Sequence, residues 1–400
     1  MTESPHSLFE KHLDCIQDPR HHNIRHLLHD MLLIALCAVI SGADSWTQVA
    51  EYGRSKMAWF EQFLQLPNGI PSHDTFGRLF ARLEPKGFQK FFTRWVRELC
   101  ESIKGKTVAI DGKTLRGSHD RTNGKSAIHM VSAWASQIRL VLGQLKVDDK
   151  SNEITAIPEL IKTLALQEAI ITIDAMGCQR KITQTIIEEK ADYVIQLKEN
   201  QPTLYEDVAL FFKDPASGPF DTFQTLDGEH GRIETRHYCV TENIAWLAGK
   251  HQWAGIRSIC KVTRQRELNA KICAETSYFI SSLKGHAHTI GQSIREHWAI
   301  ENDLHWCLDM SFKEDHCRLR KDNAPENFGI LQHMAINFLK KEKSLRGGIQ
   351  TKRLKAAWDQ DDLPKILGLS FSPTSRGLTG FCLNRYRLRC QAFRNPAGKR

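Results

Sequence analysis

The stretch Thr-Val-Ala-Ile-Asp-Gly-Lys-Thr-Leu, residues 107–115, decides the fold class, because its β-branched apolar run ends in an aspartate, Asp111. The same pattern returns in Ile-Ile-Thr-Ile-Asp, residues 170–174, which ends in Asp174. An aspartate before a glycine is also a common turn element. Short apolar runs are nevertheless typical of buried strands, and open α/β sheets bind ligands at the carboxyl edge of such strands. The two aspartates are therefore predicted to lie at one edge of a sheet.

The order of the segments around the two aspartates predicts the topology. Apolar segments at 128–135 and 140–147 follow the first strand and indicate an antiparallel three-stranded meander. The segments that come next are a helix at 157–166, the strand ending at Asp174, a helix at 179–190 and a strand at 193–197. This is the order of an RNase H-like core, so we predict an α/β fold with a mixed-sheet catalytic core.

A third acid, Glu301, belongs to a later part of the chain. Residues 202–287 alternate polar and apolar side chains without a long helical pattern, and we interpret them as a β-rich insertion. The pattern returns to helix at 288–306, where Ile300 and Leu304 mark the packed face. Glu301 is at the border of that face and is predicted to reach the sheet edge. Four nearby acids compete for this role: Asp303, Asp309, Glu314 and Asp315.

Two strand-end aspartates and one helical glutamate form a ligand set for hard divalent cations. Such a set holds two Mg²⁺ ions about 3.5–4 Å apart, with Mn²⁺ as a substitute, and serves phosphoryl transfer. The substrate predicted from this chemistry is a phosphodiester, and Asp111, Asp174 and Glu301 are the predicted catalytic and metal-binding residues.

The sequence pattern predicts helices throughout the N-terminal part of the chain, from about residue 24 to 104. Ser45 and Gln48 have the spacing of a capping box that opens a helix to about residue 64, and Ser72 caps the next helix. A helix, a glycine-containing turn and a helix indicate either a DNA-reading unit or a plain helical bundle. In the first case, phosphate contacts are predicted for four basic residues: Arg54, Lys56, Arg78 and Arg82.

Composition and cysteine usage place the chain among ordinary cytoplasmic proteins. It has 41% hydrophobic and 25% charged residues, and its longest apolar run, residues 31–40, is too short for a membrane span. Eleven cysteines without a close pair suit a reducing compartment, so a bacterial cytoplasmic protein associated with the nucleoid is expected. One cluster permits a zinc site as an alternative to incidental packing: His305, Cys307, His316 and Cys317.

The net charge of +9 is concentrated at the C-terminus. Residues 376–400 contain seven basic and no acidic residues, so they carry seven of the nine net charges. A basic tail with interspersed aromatic residues indicates additional phosphate contacts, and a solvated terminus is the alternative.

Seven blocks of the sequence resemble the H-repeat-associated (ISAs-type) insertion-sequence transposase family of the DDE class. The resemblance covers roughly residues 15 to 360, and the blocks are DPRHHNIRHLLHDMLLIALCAVISGADSW, LPNGIPSHDTFGRLFARL, VAIDGKTLRGS, GQLKVDDKSNEITAIPEL, ITIDAMGCQ, YVIQLKENQ and REHWAIENDLHWCLDMSFKEDHCRLR. The resemblance implies a DNA transposase that cleaves and transfers the strands of an insertion sequence. Its three acidic ligands map onto Asp111, Asp174 and Glu301. The implied partners are double-stranded DNA, as element ends and target, and further copies of the chain in a homodimer or higher oligomer.

The resemblance also implies a domain order, and the chain departs from the family in two respects, one of which is the stretch beyond about residue 370, which does not follow the family pattern. The expected domains are a helical DNA-binding domain at 1–104, a first core part at 105–201, the β-rich insertion at 202–287, a helical core part at 288–368 and a basic tail at 369–400. Related transposases place a Tyr, an Arg and a Lys seven before, four before and seven after the glutamate. Here these positions hold Ile294, His297 and Leu308, which argues against hairpin chemistry that depends on that set.

Three further residues near the predicted site are candidates for contacts with DNA: Lys113, Lys198 and His297. Surface lysines and a structural histidine are the plain alternatives. Two other functions stay open from the sequence. One is a nuclease that cuts without joining, and the other is a catalytically inactive, transposase-derived DNA-binding protein acting as a repressor.

Overall fold

The computed structural model describes residues 5–13, 16–22, 24–100, 102–120, 124–148, 152–229, 232–268 and 271–369. The basic stretch at 376–400 is outside these described residues, so its predicted role stays a prediction. Within the described part, all strands join one mixed sheet.

The sheet contains the strands β1 Thr107–Leu115, β2 Ile128–Ala135, β3 Leu140–Lys146, β4 Ile170–Ile173, β5 Asp192–Leu197, β6 Asp221–Glu229, β7 Arg232–Thr241, β8 Ser258–Leu268 and β9 Lys271–Ser281. They lie in the order β3-β2-β1-β4-β5-β9-β8-β7-β6. The pairs β1–β4 and β4–β5 are parallel, whereas β1–β2 and β2–β3 are antiparallel. The predicted meander and the RNase H-like α/β fold class are therefore confirmed.

Strand β1 is longer than the sequence indicated. We expected it to end at Asp111, but it continues to Leu115 because β2 pairs with it over the whole length. Its pairing with the shorter β4 stops at Ile110 and Ile173. The edge of the sheet on the β4 side therefore begins at the two aspartates.

The helices are α1 Pro5–His12, α2 Leu28–Ile40, α3 Trp46–Ser55, α4 Met57–Phe60, α5 His73–Arg82, α6 Pro85–Leu99, α7 Glu153–Thr163, α8 Arg180–Glu188, α9 Pro202–Phe211, α10 Ala287–His297, α11 Trp306–Phe312, α12 Ala324–Lys341, α13 Ile349–Trp358 and α14 Asp362–Leu367. Ser45 and Ser72 cap α3 and α5 as predicted, by accepting from the backbone N–H of Gln48 and Thr75.

Two predicted helix boundaries are wrong, and one helix was missed. The helix expected to reach residue 64 ends at Ser55, and the short α4 follows it. α7 begins at Glu153 rather than at 157, because Pro158 is tolerated inside it. The insertion contains the ten-residue α9, which the alternating pattern of the following strands concealed.

The N-terminal helices share one hydrophobic core with the sheet and with α12. Asn327 of α12 is fully buried and donates to the backbone carbonyls of Phe80 and Leu83, so it fixes the end of α5. α2 carries the longest apolar run, which is buried in this core. Among the described residues, no helix is long and apolar enough to cross a membrane.

The insertion extends the core sheet. β9 pairs antiparallel with β5, and β8, β7 and β6 follow outward. A second apolar cluster forms where α10 covers these strands, with Ile290 and Ile294 against Tyr238. α10 thereby runs back across the sheet and delivers the next segment to the edge formed by β1 and β4.

Candidate active site

Asp111 and Asp174 occupy equivalent positions on neighbouring parallel strands. The last paired residues of β1 and β4 are Ile110 and Ile173, and each aspartate is the next residue of its chain. The buried strands of this core therefore present both carboxyl groups at the same edge. This is the juxtaposition predicted from the two sequence runs.

The local electrostatics disfavour two ionised aspartates at this edge. Burial raises the pKa of Asp111 to about 6, and the carboxylates of Asp174 and Glu153 act in the same direction. Burial also raises the pKa of Asp174, although its Oδ1 accepts from the backbone N–H of Met176 at 3.0 Å. A concentration of negative charge in a partly buried site is the arrangement that a bound cation stabilises.

Glu301 stands on a π-helical segment, Ile300–His305, between α10 and α11. Such wide turns are frequent at functional sites. The side chain of Glu301 is 58% exposed, whereas Leu304 is buried. Nδ1 of His305 lies 2.9 Å from Oε2 of Glu301 and 3.6 Å from Oδ2 of Asp111. This hydrogen bond is the largest cause of the lowered pKa of Glu301, so the glutamate is held as an anion toward the sheet edge.

The ligand atoms of Asp111, Glu301 and His305 lie within 4.8 Å of one another. Asp174 is not part of this compact group in the described part of the chain, but its charge acts on Asp111. Carboxylate oxygens are the donors that Mg²⁺ and Mn²⁺ prefer. The residues at the edge therefore fit a hard divalent cation.

His305 was not predicted as a part of this site. Its spacing of four residues from Glu301 on a helical pattern was the available signal, since such pairs share a helix face. The zinc alternative is not supported, because His305 turns to Asp111 and Glu301 rather than to Cys307, His316 and Cys317. No metal-sized group contains these cysteines within the described residues.

Glu153 and His129 flank the site and were also missed. Glu153 is the first residue of α7, and its Oε1 lies 2.5 Å from Nε2 of His129. Nδ1 of His129 lies 2.8 Å from Oγ1 of Thr114. A Cβ at Gly112 would clash with the carboxylate of Glu153 and with Nε2 of His129, so a larger residue next to Asp111 would displace this pair. An acid after Asn152 was a signal for a helix start that we placed too late.

The four competing acids each pair with basic side chains: Asp303 with Arg139 and Lys340, and Asp309, Glu314 and Asp315 with Lys113. The Nζ atom of Lys113 lies 2.5 Å from Asp309 and 2.7 Å from Glu314, and its side chain is only 14% exposed. Lys113 therefore holds α11 and the following turn against β1. The geometry gives no support to its predicted contact with DNA.

Lys198 and His297 occupy contrasting positions. Lys198 is exposed just after β5, and its charge acts on Asp174, so it can meet a phosphate at this edge. Nδ1 of His297 lies 3.0 Å from Oγ1 of the buried Thr172 of β4. Burial lowers the pKa of His297 to about 4, so a neutral ring attaches α10 to the sheet.

Of the predicted DNA contacts of the N-terminal helices, Arg54, Arg78 and Arg82 are exposed and Lys56 is half-buried. Arg54 ends α3 and pairs with Glu51, while Arg78 and Arg82 are one turn apart on α5. The segment between α3 and α5 contains α4 and is longer than the turn of a helix-turn-helix unit. These arginines stay candidates for phosphate contacts on a helical surface.

Comparison with known proteins finds transposase families and relatives along most of the chain. The family model described as "Transposase DDE domain" matches residues 103–338, and the model described as "DDE_Tnp_1-associated" matches residues 10–96. "Putative transposase YncI" of Escherichia coli O157:H7 is 39% identical over 86% of this chain and 90% of its own length. "H repeat-associated putative transposase YhhI" of Escherichia coli strain K12 is 37% identical over 89% of this chain and 97% of its own length.

Among solved structures, a piggyBac transposase synaptic complex with hairpin DNA covers 95% of this chain and 83% of its own, at 12% identity. Its TM-score of 0.38 is too low to bear on the fold. The length and identity of the sequence matches decide the relationship. The chain belongs to the family of DDE-type transposases.

Proposed function

We propose that this protein catalyses metal-dependent cleavage and transfer of the DNA strands at the ends of an insertion sequence. The observation that carries the proposal is the placement of Asp111 and Asp174 on adjacent parallel strands, with Glu301 held over the same edge. Membership of the transposase family supports the substrate class.

Asp111, Asp174 and Glu301 would hold the divalent cation, with Mg²⁺ as the ion and Mn²⁺ as its substitute. Two features support the binding of this cation: the oxygen donors of the three residues and the raised pKa of both aspartates. A cation relieves the repulsion between the two aspartate carboxylates. When bound, such ions activate the attacking oxygen and stabilise the leaving oxygen of a phosphodiester.

The protein's own residues supply orientation and charge. His305 is in hydrogen-bond contact with Glu301 and would limit its rotation, while the exposed Lys198 would contact a phosphate near Asp174. Ile294 and Leu308, which replace the Tyr and Lys of related transposases, are buried. We therefore propose cleavage and joining without the hairpin chemistry that requires those side chains.

Recognition of DNA is assigned to the exposed surface of α3 and α5, with Arg54, Arg78 and Arg82 as phosphate contacts. Phosphate contacts supply salt-dependent affinity and fix the register on the duplex. The partner is double-stranded DNA, and strand transfer between two element ends favours a homodimer or a higher oligomer.

The proposal is tested with the full chain and a plasmid that carries the gene with its flanking DNA. Cleavage is expected with Mg²⁺ or Mn²⁺ and not with EDTA. Asp111→Asn, Asp174→Asn and Glu301→Gln should each lower the cleavage rate by more than about 100-fold, because ligand loss exceeds the 10–100-fold typical of outer-sphere partners. DNA binding should stay nearly intact.

The matched control is Asp303→Asn. Asp303 belongs to the same π-helical segment as Glu301, but its carboxylate forms an ion pair with Arg139 instead of facing the sheet edge. It should cleave at nearly the wild-type rate. A Glu301→Gln protein that cuts normally would remove Glu301 from the site. Cleavage without joined products would indicate a nuclease, and binding without cleavage under all metal conditions would indicate a DNA-binding repressor.

A further inference from the structure

The connection between α11 and α12, residues 313–323, takes no part in the proposed catalysis. We call it the basic segment, because four of its side chains that reach the surface are basic: Lys313, Arg318, Arg320 and Lys321. Cys317 and Leu319 pack against the hydrophobic core, whereas Arg318 between them is exposed and Arg320 is half-buried. This alternation is that of an extended chain, in which every second side chain points to the same face. The two arginines therefore share an outward face.

Close backbone contact fixes the basic segment against the end of β1. The turn Arg116–Ser118 follows β1, and a Cβ at Gly117 would clash with the carbonyl oxygen of Cys317. Nε of Arg320 donates to the carbonyl oxygen of Gly117 at 3.3 Å. The two terminal nitrogens of this guanidinium have no partner in the described part of the chain. Arg320 is thus held against the turn that carries Arg116, with donors left for a ligand.

The charges of this region favour an anionic partner. Asp315 pairs with Arg116 at 3.5 Å, and Asp44 lies 4.0 Å from Nζ of Lys313. The exposed acid on the segment is Asp322. Within the described ranges, no ion pair is formed by the remaining basic side chains, which are Arg318, Arg320 and Lys321. Positive charge therefore exceeds negative charge on this surface.

The basic segment connects the sheet to the helices α3 and α5. Sγ of Cys317 lies 3.8 Å from the carbonyl oxygen of Asp44, one residue before the cap of α3. At the other end, the backbone N–H of Asn323 donates to the carbonyl oxygen of Ala81 in α5 at 3.3 Å. The segment therefore runs from the end of β1 to the helices that the proposed function assigns to DNA recognition.

The length of β1 determines how far the basic segment is from the carboxylates. Arg116 comes five residues after Asp111. A strand rises about 3.3–3.4 Å per residue, so the two positions are about 17 Å apart. One strand of a DNA duplex advances about 3.4 Å per nucleotide. A DNA strand that runs along β1 from Asp111 therefore reaches Arg116 after about five nucleotides.

We propose that the basic segment and Arg116 bind phosphates of the element end about five nucleotides inside the element's boundary. Guanidinium groups suit this role, because their planar N–H donors match two phosphate oxygens at once. The element end is the partner, rather than target DNA, because the segment is attached to α5. The identity of the DNA rests on the proposed function, whereas the phosphate contact itself does not.

The test variant replaces Arg116, Arg318 and Lys321 together by glutamine in the full chain. All three side chains are exposed. The ion pair of Arg116 with Asp315 is a surface pair, and such pairs contribute little to stability. The variant should therefore unfold at the wild-type temperature.

The control variant loses the same charge at the opposite edge of the sheet. It replaces three exposed lysines by glutamine: Lys104, Lys162 and Lys190. They precede the parallel strands β1, β4 and β5, whereas the carboxylates follow β1 and β4. A difference between the two variants therefore depends on the position of the charges and not on net charge.

The first measurement is the salt dependence of binding to a duplex that carries the element end, in EDTA. Each phosphate contact contributes about 0.9 to the slope of log affinity against log salt concentration, so the slope should fall by up to about 2.7 in the test variant. The control variant should keep the wild-type slope. An unchanged slope in the test variant, or an equal change in both variants, would overturn the proposal.

Ethylation of single phosphates on the same duplex then locates the contact. Ethylation removes the charge of one phosphate, so it weakens binding where the protein contacts that phosphate. For the wild type and the control, we expect interference about four to six nucleotides inside the element. The test variant should lose this interference and keep the interference at phosphates bound by α5. Interference that persists in the test variant would overturn the proposal, as would a variant that loses only its binding to target DNA.

The proposed function and the phosphate contact can fail separately. A wild-type protein that shows the expected interference but does not cleave with Mg²⁺ would contradict the proposed function and support the contact. Cleavage by the wild type, together with unchanged binding by the test variant, would contradict the contact alone. A wild-type protein without affinity for the duplex would contradict both.

Discussion

Replacement of Asp111 by asparagine should stabilise the metal-free protein. The wild-type carboxyl group has an ordinary pKa of 3.8 and a pKa of about 6 in the folded chain, because it is buried beside Asp174 and Glu153. The carboxyl group of Asp111 therefore binds a proton more tightly in the folded chain than in the unfolded chain. Well above pH 6 the full difference between the two pKa values acts against folding, and it corresponds to about 3 kcal/mol.

The pH dependence gives the prediction its sign. A carboxyl group whose pKa is raised by folding has no effect on stability at pH values below its pKa in the unfolded chain. Its destabilising effect grows as the pH rises toward its pKa in the folded chain. We expect Asp111→Asn to be more stable than the wild type by about 3 kcal/mol at pH 8 and by roughly half as much at pH 5. The amide oxygen can still accept from the backbone N–H of Gly112 that the carboxylate uses.

The assay is equilibrium unfolding in urea with EDTA, at several pH values between 5 and 8. Asp303→Asn is the control, since it removes an ion-paired carboxylate and should not stabilise the protein. Adding Mg²⁺ should reduce the difference in unfolding free energy between Asp111→Asn and the wild type, because the ion binds the folded wild type and offsets the destabilising effect of its ionised carboxylate. An asparagine variant that is no more stable at pH 8, or whose advantage does not shrink toward pH 5, would refute the electrostatic reasoning.

Three other predictions concern charges away from the proposed ligands. Lys113→Met should destabilise the fold by about 3–5 kcal/mol, because it leaves the buried Glu314 unpaired. The salt dependence of DNA binding should not change. A loss of DNA affinity without a loss of stability would contradict this prediction. Replacing Arg54, Arg78 and Arg82 together by alanine should reduce the slope of log DNA affinity against log salt concentration by up to about 2.7, because each phosphate contact contributes about 0.9. Protein stability should not fall. An unchanged slope would show that these arginines are not in the DNA interface. Truncation after residue 368 should weaken non-specific DNA binding and its salt dependence while sparing cleavage of bound ends, and a truncated protein that fails to fold would show that the tail is structural.

The sequence by itself determined the order of strands and helices in the core. Apolar runs that end in aspartate, as at Asp111 and Asp174, are local signals, and their spacing along the chain is enough to indicate an RNase H-like sheet. The helix boundaries were less secure, because α7 begins at Glu153 and tolerates Pro158 inside the helix. Local propensity does not decide where packing allows a helix to begin.

Only the tertiary structure decided which side chains meet around the carboxylates. Lys113 looked like an exposed strand-end lysine, but it pairs with Asp309, which is 196 residues away in the chain. His297 is attached to Thr172 across 125 residues, and a small cavity beside His305 is lined by residues of β3 and α12, among them Gln144 and His333. Such contacts depend on how α10 and the π-helical segment cross the sheet. No periodicity within a single segment encodes that crossing, because it results from the packing of apolar faces that belong to distant parts of the chain.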